Sequence, residues 1–148
     1  MGAPISPSAS AGRPPGLFRY LWASPNSLLG LGLAAAAAAT GGTVTLVEGV
    51  VEVEGGIART LLERAFLIEG GASALTLGHV VVGRDAAALA ASRAHERAHV
   101  RQTERWGPLF LPAYAVASAV AVLQGRHHYR DNAFERAARL EEQTAAPA

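Results

Sequence analysis

Cysteine is absent from the 148-residue chain, so no disulfide and no thiolate ligand can exist, and any metal must be held by histidine and carboxylate groups. An excess of either charge is also lacking, since 13 basic and 12 acidic residues leave a net +1. This balance gives no general pull toward nucleic acid, and the arginines at 97, 101 and 105 read as one solvated helix face. No internal repeat is visible. Large core side chains are scarcer than the 50% apolar fraction suggests, because alanine, glycine and leucine dominate the chain and a buried alanine removes little area from water. Densely apolar runs are short too. The densest, Leu28 to Ala39, has twelve residues, against the roughly 20 that a spanning helix needs. Length supports one compact domain plus tails.

Residues 1–16, rich in Pro, Ser, Gly and Ala without a hydrophobic period, read as a tail. Residues 17–42 form an apolar helical block behind Arg13 and Arg19, and three readings of it stay open. It spans a membrane from Leu21 to Ala39, or it is a cleaved signal sequence whose apolar run begins late, or it is a buried helix capped by Asn26 or Ser27 and stopped by Gly41-Gly42. From Thr43 the period changes to two, and "TVTLVEG" and "VVEVEGG" predict a hairpin with one apolar and one solvated face. A short amphipathic helix from Ile57 to Ala65 follows, then strand-like "FLIEGG", then "ALTLGHVVVGRD", which reads as a strand with His79 near its middle.

Asp85 is placed to cap a helix from Ala86 to Trp106 that Gly107-Pro108 breaks. Pro108 to Gln124 is a second apolar helix, at the lower limit for spanning and equally suited to packing on its predecessor. The last helix runs from about Asn132 to Gln143, and residues 144–148 are a frayed end.

The helix from Ala86 carries the chemistry. His95 and His99 lie four residues apart and so share one helical face, where two imidazoles can meet one metal ion. Glu96 beside them is offset enough to act as a proton acceptor instead of a ligand, and this is what hydrolysis by a zinc-activated water requires. The favoured third ligand is Glu135, on the helix that Asn132 starts, with Phe134 and Ala138 turned inward. Asp131 and the pair His127-His128 are its rivals. Gln102 and Trp106 continue the histidine face, Gln102 suited to an inter-helix contact or to bonding a ligand or substrate backbone, and Trp106 to the core in preference to a cofactor platform. His79 is a candidate for stabilising a developing oxyanion, against a plain packed histidine, with Tyr114 and Tyr129 as rival donors.

"HERAHVRQTERWGPLFLPAY", followed by "YRDNAFERAA", resembles a family of small uncharacterised bacterial proteins with an HExxHxxQ helix and a downstream N-P-F-E-x-E-A segment. The resemblance covers about residues 74–139. More distantly, the chain is similar to the gluzincin metallopeptidases, including the membrane-embedded group related to the CAAX prenyl endopeptidases. The resemblance implies His95, His99 and Glu135 as ligands of Zn²⁺, Glu96 as general base, and a peptide or protein substrate. It also implies a place in the bacterial inner membrane or cytoplasm. The departures are Ala133 for the family's proline, Ala137 for its second glutamate, and Arg139 for the gluzincin aspartate that orients a ligating histidine. A guanidinium cannot accept that hydrogen bond, so weaker support of the ligands is implied.

The expected architecture is α+β: residues 43–143 as a minimal gluzincin-like domain, with a short sheet or hairpins packed on the HExxH helix and two or three further helices. The expected activity is zinc-dependent peptide-bond hydrolysis. The alternative is a noncatalytic metal-binding or protein-interaction module that keeps this fold.

Overall fold

Glu48 and Gly49 both have positive φ, 51° and 81°, the backbone requirement of a two-residue hairpin turn. The expected hairpin therefore forms, β1 (Thr43–Val47) antiparallel to β2 (Val50–Glu54) with Val47 opposite Val50. The computed structural model describes residues 16–64 and 71–145. Most of "FLIEGG" and the tails at 1–15 and 146–148 lie outside the described residues. The short helix α2 covers Gly56–Glu63.

The stretch "ALTLGHVVVGRD" is two strands, not one. Gly78, at φ 65°, reverses the chain, so β3 (Ala74–Leu77) runs antiparallel to β4 (Val80–Gly83) and His79 sits in the turn. A Cβ at Gly78 would lie 2.2 Å from Ser27 Oγ, so that turn is pressed against the N-terminal helix and admits only glycine. The sheet order is β1-β2-β4-β3, with β2 and β4 parallel.

Both faces of β4 are covered, which is why it is buried throughout, whereas β1 at the edge is largely exposed. Val80 and Val82 pack with Val53, Ala58 and Leu62 against the N-terminal helix α1 (Leu17–Ala39) and α2. Val81, on the other face, joins Val50 to Leu89 and Val100 of α3 (Ala86–Trp106). The solvated hairpin face expected from the alternation is thus corrected at Glu52, which is buried beneath α3 and bonded by Arg93 and Arg97. A buried carboxylate is tolerable because two guanidinium groups meet it. Arg97 accordingly leaves the solvated face that its spacing suggested and also donates to the Val47 carbonyl.

α1 starts at Leu17, and neither Asn26 nor Ser27 caps it. Pro25 lies inside it without breaking it, because the Ser24 hydroxyl donates to the Leu21 carbonyl at 2.7 Å, the acceptor that proline leaves unpaired. The inner stripe Ala23, Asn26, Gly30, Ala34 and Ala37 is buried. A Cβ at Gly30 would lie 2.5 Å from Val80 Cβ. Asn26 Nδ2 donates to the Gly107 carbonyl at 2.8 Å, fixing α1 to the 3₁₀ turn Gly107–Leu109 that ends α3. The opposite face of α1, including Leu17, Phe18, Leu21 and Leu28, is exposed.

Asp85 caps α3 as expected, accepting from the Ala88 N–H at 2.8 Å. After the 3₁₀ turn comes α4 (Phe110–Leu123), uncharged and with only Phe110 and Ala121 buried among its residues. Among the described residues one helical stretch, Ala86–Leu123, is long and apolar enough to cross a membrane by length and composition. The last helix, α5 (Ala133–Ala145), reaches into the segment expected to fray.

Asn132 is fully buried and starts α5. Its Oδ1 accepts from the Phe134 N–H at 2.8 Å, while Nδ2 donates to the Tyr114 carbonyl at 3.0 Å and Ser118 Oγ at 2.8 Å. Asn132→Ala removes a cap and two further hydrogen bonds made by a fully buried side chain, so it should lower stability by about 2–4 kcal/mol. A urea midpoint unchanged from the parent would show that α5 is placed by other contacts.

Candidate metal centre

Three electron-pair donors meet between α3 and α5. His95 and His99, one helical turn apart, bring their Nε2 atoms to 3.2 Å. Glu135, in the first turn of α5, adds Oε2 at 3.1 Å from His95 Nε2 and Oε1 at 3.2 Å from His99 Nε2. Its side chain is only 3% exposed. The cap at Asn132 places that carboxylate, and Phe134, packed edge-on to Trp106 and Phe110, presses its helix onto α3.

The hydrogen-bond network fixes what His99 presents. Gln102 Nε2 donates to the Phe134 carbonyl at 2.9 Å, which leaves Gln102 Oε1 facing His99 Nδ1, also at 2.9 Å. An amide oxygen only accepts, so Nδ1 carries the proton and Nε2 turns its lone pair toward Glu135 and His95. A neutral His99, His95 and an ionised Glu135 repel one another unless a proton or a cation lies between them. Their separations approach the roughly 3.3–3.4 Å between ligands of a tetrahedral zinc site with bonds of about 2.0–2.1 Å. The residues present fit a two-histidine, one-carboxylate metal site, and all three ligand atoms lie within 4.8 Å of one another.

Titration follows from the same contacts. Burial would raise the Glu135 carboxyl, but His95, His99 and the Tyr114 hydroxyl, which donates to Oε1 at 2.7 Å, hold it well below the usual carboxylate range. Burial lowers His99, and its contacts with Glu135 outweigh this and raise it. Tyr114 and Tyr129 are pushed above the ordinary phenol range by burial and by the charge of Glu135, so both remain protonated donors.

Glu96 is buried beside the pair. Its carboxyl is raised, chiefly by desolvation, although Thr76 Oγ1 on β3 donates to its Oε2 at 2.6 Å. Thr76 was not read from the sequence; the available signal was one polar residue between Leu75 and Leu77. A cavity of about 420 Å³ opens here, lined by His95, Glu96, Tyr129, Arg139 and residues 71–74, which lead into β3.

His79 does not join the cluster. The turn at Gly78 carries it to α1, where its Nε2 lies 3.1 Å from Glu104 Oε1, its Nδ1 3.5 Å from Ser27 Oγ, and its ring 4.3 Å from that of Tyr20. It lines a different cavity. Tyr129 lines the metal-side cavity and Tyr114 does not, and both hydroxyls hydrogen-bond Glu135.

The rival ligands are occupied by a turn. Asp131 accepts from the His127 N–H, His127 Nδ1 accepts from the Tyr129 and Arg130 N–H groups, and the His127 and His128 rings stack. Trp106 packs on Phe134. Arg139 donates to the Arg130 carbonyl and lies 3.8 Å from Glu135 Oε2. Comparison with known family models, curated proteins and solved structures returns no match to this chain.

Proposed function

We propose that the chain is a zinc-dependent peptide hydrolase built on a minimal gluzincin-like domain. The observation that carries this reading is the convergence of His95, His99 and Glu135 within 3.1–3.2 Å, with the buried carboxylate of Glu96 alongside. Zinc bound there supplies a Lewis acid that polarises the scissile carbonyl and acidifies water. Glu96 takes up a proton from the attacking water and returns it to the leaving amine, a task for which a raised carboxyl suits it. Thr76 holds one Glu96 oxygen, so the carboxylate acts from a fixed position.

β3 ends the strand order, and its outer edge offers main-chain groups to an extended peptide entering the cavity. Tyr129, a protonated donor on the cavity wall that also bonds Glu135, turns to the oxyanion as it develops. The test is zinc content by elemental analysis together with cleavage of a mixed peptide substrate. One equivalent of zinc and metal-dependent cleavage are expected; under a tenth of an equivalent after loading would remove the reading. Zinc uptake without any cleavage favours the noncatalytic binding module instead.

We also propose that the protein rests on a membrane surface. Leu17, Phe18 and Leu21 of α1 and Leu109, Val116 and Leu123 in and before α4 are all exposed, and α4 carries no charge. Full-length protein is expected in the membrane pellet after high-speed centrifugation. Its recovery in the supernatant as a detergent-free monomer would place it in solution.

A further inference from the structure

We infer that Glu142 positions His95 for metal binding, taking over at a different place on α5 the task that Arg139 cannot perform. The inference rests on the zinc reading above and concerns the ring nitrogen that faces away from the metal. His99 has Gln102 on its Nδ1. His95 stands nearer the cavity, and its Nδ1 lies 3.5 Å from Glu142 Oε2.

The periodicity of α5 explains how this arises. Glu142 follows Glu135 by seven residues, two helical turns, so both side chains leave the same face of α5 toward α3. Glu135 meets His95 at Nε2 at 3.1 Å and Glu142 stands 3.5 Å from Nδ1, so carboxylates from one helix approach both nitrogens of one ring. Arg139, between them, is engaged with the Arg130 carbonyl and lies near Glu135. It has no acceptor to offer.

Glu142 is 39% exposed, so its carboxylate has room to close from ion-pair distance to a direct hydrogen bond once Nδ1 carries a permanent proton. That proton is ensured whenever Nε2 is committed to a metal. A carboxylate on the outer nitrogen orients the ring and increases its strength as a ligand. The expected departure from a fully supported site is therefore compensated, and the two histidines have unlike partners: a neutral buried amide for His99 and a charged, half-exposed carboxylate for His95.

The test uses the full-length protein and zinc alone, by competition with a chromogenic chelator. Glu142→Ala is expected to weaken zinc binding by about 10- to 100-fold, with Glu142→Gln between Ala and the parent because an amide oxygen still accepts. Glu141→Gln removes the same charge from the neighbouring residue, which pairs with Arg101, and should change affinity less than threefold. In the zinc-loaded parent, the His95 Nδ1 proton should be a downfield, slowly exchanging NMR resonance, lost in Glu142→Ala at unchanged thermal stability of the metal-free protein. A parent that binds zinc while Glu142→Ala binds it equally tightly overturns this inference alone. A parent that takes up no zinc overturns the hydrolase reading and this inference with it.

Discussion

Glu96→Gln is expected to retain one zinc ion per chain while lowering kcat/KM for peptide cleavage by about 10²- to 10⁴-fold, the span attributable to a positioned general base. Glutamine keeps the shape of the side chain and an oxygen to accept the Thr76 hydroxyl that now reaches Glu96 at 2.6 Å. What it loses is the ability to take a proton. The ligands are untouched, so metal content separates this effect from a collapsed site. Thermal unfolding should move little or upward, because the variant removes a carboxylate whose ionised form is penalised by desolvation. Steady-state rates on a peptide cleaved by the parent, measured with zinc content in the same preparation, decide the matter. A zinc-loaded Glu96→Gln that keeps a third of the parental rate would assign the proton transfer to another group.

Glu135→Ala carries the second large effect. Apparent binding free energies for closed zinc sites are about 10–16 kcal/mol, so the loss of one charged ligand among three should cost several kcal/mol, or more than about 10³-fold in affinity. The variant also removes the partner that holds His95 and His99 together. The pH dependence follows in sign from the parent. Glu135 raises His99 in the metal-free protein, so a proton competes with zinc for Nε2 up to a higher pH than for an ordinary histidine. Affinity in the parent should therefore fall as pH drops below that raised value and level off above it. Calorimetry at several pH values, in buffers of different ionisation enthalpy, reads both the affinity and the protons released. A Glu135→Ala protein that binds zinc as the parent does would leave the carboxylate a mere ion-pair partner.

The grouping of His95, His99 and Glu135 was legible because helical period fixes which offsets share a face and the Asn132 cap fixes where α5 begins. The Asp85 cap, the first hairpin and the end of α3 were legible for the same local reasons. What escaped reading depended on residues far away in the chain. Gly78 reverses the chain in a stretch whose β-branched residues suggest one continuous strand, and only the approach of Ser27 reveals why glycine stands there. Glu52 alternates like a solvated residue, yet its arginine partners lie 41 and 45 residues later. The cap expected at Asn26 or Ser27 is absent because α1 already runs through Pro25, where Ser24 supplies the missing bond. Glu142 had no motif to announce it, since its role depends on which way the second histidine nitrogen faces.

The buried stripe of α1 has a mechanical corollary. That helix carries no ligand, but it meets the sheet at Gly30 and the end of α3 through Asn26, one turn apart on the same face. It also ties α3 near its C-terminal end, where Arg19 reaches Glu104 at 3.0 Å. Such an arrangement is a splint with two close fastenings: a side chain wedged in at position 30 would meet Val80 and the Leu77 carbonyl, neither of which can yield freely, and would turn the shaft about the second fastening. The strain would arrive at Gly107, eight residues past the second histidine. Alignment of the histidine-bearing helix is thus governed partly from outside the cluster, by how closely two backbones are allowed to approach.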